Sequence, residues 1–215
     1  MIPVTADRTE TDEFEFLRQA ALKMGAKEAK VIPASCIVVE NRVPLKCRSG
    51  CIAYGKKLTC PPHVPTPDEF RTIVGEYRSA LLVKFGLDTE VDPEIIRSIY
   101  KYWLDTDAPQ EKKEKAAEFW RNYFTESNAL LPIMLELEKT AFNAGYTLAL
   151  ALASGSCRLC ETCNVKGGTC IHPTRARIPE HAVGINMKKT AELAGMPIRF
   201  PCVDHPEAMA LLLID

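Results

Sequence analysis

Seven of the nine cysteines fall into two compact groups, Cys47-x3-Cys51-x8-Cys60 and Cys157-x2-Cys160-x2-Cys163-x6-Cys170. Thiolates are soft ligands, and three of them two residues apart can converge on one face of an inorganic centre. Bacterial ferredoxins use the same three-cysteine run, followed by a fourth cysteine and a proline. Here Cys170 is followed closely by Pro173. Gly155, Gly167 and Gly168 leave room for backbone N–H groups to approach sulfur, and such bonds tune a cluster's potential. Zinc is the competitor, since four cysteines also close a structural zinc site. Zinc ribbons, however, pair two separated Cys-x2-Cys knuckles. The expectation is an iron–sulfur cluster, one or two, of the 4Fe-4S type, with zinc as the alternative.

The first group has three cysteines and then Pro61-Pro62, which lack N–H donors and stiffen the exit of the loop. Its fourth ligand is open among Cys36, Cys202, His63 and a non-protein ligand. Cys36 lies in a strand-like run and reads as a core thiol. An unclosed set would leave one iron able to hold a small-molecule ligand, as catalytic metal sites keep a vacant position. Seven thiols could also serve one cluster with ligands to spare. The radical-type Cys-x3-Cys-x2-Cys run is absent, because Tyr54 stands at its third place.

Arg48, Lys56, Lys57, Arg158, Lys166, Arg175 and Arg177 lie in or beside these loops. They would offset an anionic centre and could steer an acidic redox protein partner. His172 and His181 are further candidate ligands or proton donors, although loop histidines are usually surface residues. No nucleotide-binding glycine loop or Walker lysine is present.

The composition agrees with this chemistry. The chain has 215 residues, 47% of them hydrophobic, and a formal net charge of −1. That supports one domain over 1–215, with 88–128 as a helical insertion. It offers no basic excess for nucleic acid. No apolar run is long enough for a membrane span, and the N-terminus lacks a signal-peptide pattern. These features predict a cytoplasmic protein, in which cysteines stay reduced and need a role other than disulfides.

The elements that must position the loops are legible from periodicity. Helices are expected over 11–24, from a capping box at Thr66-Pro67-Asp68-Glu69 to about Tyr77, from Asp92-Pro93 to about Trp103, over 109–124, 129–143 and 188–195. Strands are expected over 29–33, 36–40, 80–85, 146–151 and 197–200, with a final strand or helix over 209–214. Loops over 41–65 and 153–187 carry the cysteines. A 35-residue loop of that kind needs a function or a metal staple. The fold class is α/β, with α+β possible: a mixed β-sheet with packed helices and two long cysteine-rich metal-binding loops.

Tyr54-Gly55, Cys60-Pro61-Pro62 and the run Ser154-Gly155-Ser156-Cys157-Arg158-Leu159-Cys160-Glu161-Thr162-Cys163 resemble the cysteine-rich family catalogued as domain of unknown function 2284. Its members are described as predicted metal-binding proteins, mostly from anaerobic archaea and bacteria. The resemblance implies ligand roles for Cys47, Cys51, Cys60, Cys157, Cys160, Cys163 and Cys170. The chain departs from the family pattern at His181, where an acidic residue is usual, and at Asn186, where an aspartate is usual. The resemblance implies metal but supplies no reaction.

Overall fold

A computed structural model of the chain describes residues 13–97, 105–199, 202 and 204–215. Four strands, β1 (Glu28–Pro33), β2 (Ser79–Gly86), β3 (Leu150–Leu152) and β4 (Glu207–Ile214), form one sheet in the order β1-β2-β4-β3. All three pairings are antiparallel, with Ala29 opposite Val83, Leu82 opposite Leu211 and Ala151 opposite Leu212. The central strands are buried on both faces, so they read as continuous apolar runs and not as alternations.

Helices cover both faces. On one side α1 (Glu15–Lys23) and the long α4 (Gln110–Asn143) close a core containing Phe14, Leu17, Leu81, Val83, Met134, Leu137 and Leu212. On the other side α3 (Pro67–Val74) and α5 (Met187–Leu193) pack with Phe70, Leu82, Leu152, Ile185, Met196 and Leu211. Each such buried aliphatic side chain contributes roughly 2 kcal/mol of transfer free energy. The α/β expectation of a sheet with packed helices holds.

Local chemistry explains most boundaries. Thr66 caps α3: its side chain accepts from the Glu69 N–H, and Glu69 accepts from the Thr66 N–H at 2.7 Å. Residues 93–97 are helical, started by Asp92, whose carboxylate accepts from the N–H groups of Glu94 and Ile95. The remainder of that expected helix, through Trp103, lies outside the described residues.

Four expectations are corrected. The helices expected over 109–124 and 129–143 are one helix of 34 residues. Pro132 removes a donor to the Asn128 carbonyl, but both residues are exposed, so water can satisfy it. The buried positions Leu130, Met134, Leu137 and Ala141 keep the helical spacing past the proline. Residues 36–40 are not a strand. A 3-10 turn spans Ala34–Cys36, and the chain then pairs briefly with 184–186, the Asn186 N–H donating to the Val38 carbonyl at 2.7 Å. Residues 146–149 leave the sheet because Tyr146 is held elsewhere. Its ring meets Phe14 at 5.0 Å, and its hydroxyl hydrogen-bonds Glu13. Residues 197–199 form no strand, and Phe200 lies outside the described residues.

Gly184 has φ 91°, and a Cβ there would stand 2.8 Å from the Pro67 side chain. Glycine thus lets the 180–186 segment cross the start of α3.

Candidate metal centre

The first cysteine loop is a series of tight turns around the four-residue helix α2 (Leu45–Arg48). Cys47 lies on that helix, and the Cys51 N–H bonds the Cys47 carbonyl at 3.3 Å. The loop closes when the Gly55 N–H donates to the Pro61 carbonyl at 2.9 Å. This turn leaves Cys60 only 6% exposed. Burial pushes the Cys60 thiol up to about 11; Thr59 pulls it down, and the thiols of Cys51, Cys47 and Cys157 raise it. Burial, then Cys51, raises Cys47. The buried Thr59 hydroxyl has no hydrogen-bond partner.

The second loop leaves β3 through the Ala153–Pro179 bridge. Gly155, at φ 82°, turns the chain into Cys157. Burial raises the Cys160 thiol, and neighbouring Cys157, Cys163 and Cys170 raise it further, while Lys57 opposes them. The His172 N–H points at the Cys170 sulfur, 3.4 Å away.

The two loops touch. The Leu58 N–H points at the Cys163 sulfur at 3.4 Å, and Lys57 Nζ donates to the Cys160 carbonyl at 3.1 Å. Between the loops lies a cleft of about 980 Å³ lined by Ala53, Lys57, Cys157, Arg158, Cys160 and Cys163, among others. All nine cysteines are free of disulfides. Soft, reduced donors with N–H groups aimed at sulfur are a donor set suited to an iron–sulfur centre. Among the described residues, no three or more Cys, His, Asp or Glu side chains are grouped closely enough to hold a metal ion.

The other candidates are placed elsewhere. Cys36 packs against the second core, as expected of a core thiol. His63 Nε2 faces the Gly55 carbonyl at 3.5 Å. Burial raises Cys202, and the adjoining Asp204 and His205 pack on Val91 and Thr89. His181 is exposed. Asn186 caps α5, accepting from the Lys189 N–H at 3.1 Å, and donates to Glu40 at 2.8 Å. An aspartate could cap there but would face the Glu40 carboxylate.

The loop cations divide by role. Arg177 pairs with Glu138 of α4, its Nε donating at 2.8 Å, and the same carboxylate accepts from the Ala151 N–H at 2.7 Å. This ties the second loop to both α4 and β3. Arg158 lies 3.8 Å over the Phe124 ring, a cation–π contact. One polar group escaped the sequence reading. Glu180 is 2% exposed, its Oε2 has no hydrogen-bond partner, and burial pushes its carboxyl up to about 8.

With this geometry in view, the comparison with known families is decisive on one point. The family described as predicted metal-binding protein, domain of unknown function 2284, matches residues 30–214. The chain belongs to this family. The match spans every strand but the start of β1, together with both cysteine loops. No curated protein and no solved structure matches the chain. Predicted metal binding is thus the family description, and the described fold brings the two cysteine loops into contact.

Proposed function

We propose that this metal-binding protein carries an iron–sulfur centre of the 4Fe-4S type and works in cytoplasmic electron transfer or redox chemistry. The observation that carries the reading is the contact between the loops, where the Leu58 N–H meets the Cys163 sulfur and Lys57 meets the Cys160 carbonyl. Cys47, Cys51, Cys60, Cys157, Cys160, Cys163 and Cys170 would hold the centre.

The bound centre would supply a one-electron couple. The chain's part is to hold thiolates, donate N–H bonds to sulfur and restrict water. Bonds from Leu58 and His172 stabilise charge on Cys163 and Cys170. Lys57, Arg158 and Lys166 offset negative charge beside the sulfurs. Exposed Lys56 and Lys166 suit an acidic redox protein partner. Nine unpaired cysteines favour a reducing compartment. Among the described residues no helix is long and apolar enough to cross a membrane.

The test is a pair of substitutions in protein purified without oxygen. Cys160→Ser is expected to lose metal and loosen the second loop, because binding energy is also folding energy in such segments. Cys36→Ser is expected to keep its metal. Full metal content in Cys160→Ser would contradict the ligand assignment.

A further inference from the structure

Two arginines of the second loop meet the same face of α4 in different ways. Arg177 pairs with the Glu138 carboxylate, which neutralises its charge. Arg158 lies over the Phe124 ring, 3.8 Å from its centre. Phe124 stands about four turns before Glu138 on the helix, a spacing that returns to the same face. A ring attracts a cation through its quadrupole but carries no net charge. Phe124 therefore fixes Arg158 without cancelling it. Among the described residues no carboxylate is paired with Arg158.

The ring is itself held. Trp120, one turn earlier, stacks on it at 5.1 Å with an interplanar angle of 20°, and Tyr123 meets it edge-on at 5.6 Å. The aromatic stack thus runs from the body of α4 to the guanidinium. Arg158 is exposed. Without the ring, so long a side chain would sample many rotamers in water, where its field is screened.

The charge is held at the cysteines. Arg158 follows Cys157 in the chain and lines the cleft between the loops together with Cys157, Cys160 and Cys163. A smaller cavity is lined by Asn128 and Leu131 of α4 and again by Cys157 and Arg158. Reduction adds an electron to a cluster, and a fixed cation nearby stabilises the more negative state.

We propose that Phe124 is a positioning residue, which holds the uncancelled charge of Arg158 at the wall of the cysteine cleft and so raises the reduction potential of the bound centre. This rests on the iron–sulfur reading above and deepens it. The charge acts on the centre, and the ring acts only through the charge.

The test is protein-film voltammetry of iron-loaded protein prepared without oxygen. Arg158→Gln should lower the ratio of reduced to oxidised centre at a fixed potential by about tenfold, a shift of about 59 mV to more negative values. Phe124→Leu keeps an apolar side chain but offers no ring face, and it should shift the potential the same way by a smaller amount. Phe124→Tyr restores the ring and should return the wild-type value. In an Arg158→Gln background Phe124→Leu should add nothing, an outcome that a merely structural ring would not give. A Phe124→Leu potential equal to wild type would overturn the assignment, as would additive shifts in the double variant. If Phe124→Leu fails to load its centre, Arg158→Gln decides alone, and an unchanged potential there overturns the proposal. The two levels are separable. Wild-type protein without iron and sulfide overturns the iron–sulfur reading itself. Iron-loaded protein whose potential ignores both Phe124 and Arg158 overturns only the positioning role.

Discussion

The backbone N–H of Leu58 points at the sulfur of Cys163, 3.4 Å away and 105 positions later in the chain. That bond joins two loops which the sequence treats as separate. It also places a dipole where a reduced centre would gain negative charge.

Leu58→Pro removes the donor while leaving an apolar side chain. An N–H···S bond stabilises the electron-rich state, so its loss should make the reduction potential more negative. Leu58→Ala keeps the N–H and should leave the potential near wild type. Protein-film voltammetry of the two variants checks the pair. Equal potentials in both would show that the bond has no effect on the centre.

The second loop depends on a different contact. Arg177 and Glu138 pair with side chains only 13% and 18% exposed, and Glu138 also accepts from the Ala151 N–H. Removing one partner leaves a poorly solvated charge. Arg177→Met should therefore cost roughly 3 kcal/mol in chemical denaturation, and Arg177→Met with Glu138→Gln should recover part of it. Additive losses in a double-mutant cycle would show that the pair is not coupled.

Glu180 gives the fold a pH dependence. Its carboxyl rises from an ordinary 4.5 to about 8 because burial penalises the charged form. Between these values the unfolded chain is ionised while the folded chain still holds the proton. Stability from this group is thus full below pH 4.5, falls as pH rises, and levels off above about 8. Glu180→Gln should flatten that slope. Urea denaturation at several pH values across the interval measures it, and an unchanged slope in the variant would remove the assignment.

Periodicity and caps make the frame legible in the sequence. The Thr66 capping box starts α3 where expected, and the apolar runs Ala80–Phe85 and Met209–Ile214 are the cores of β2 and β4. Pro132 misled because a proline usually breaks a helix, whereas here its orphan carbonyl faces solvent. The run 36–40 misled because its β-rich residues pair with 184–186, a partner that local pattern cannot reveal. The same limit governs the site. Spacing singles out the cysteines, but the contact of Leu58 with the Cys163 sulfur is a long-range product of the fold. Glu180 gave no signal at all, since an acidic residue in a loop ordinarily reads as solvated.

The centre's identity is most directly tested by acid-labile sulfide and iron measured together on protein purified without oxygen. The account predicts brown protein with iron and sulfide in equal amounts, both lost in Cys160→Ser. Colourless protein that binds zinc stoichiometrically and contains no sulfide would contradict it.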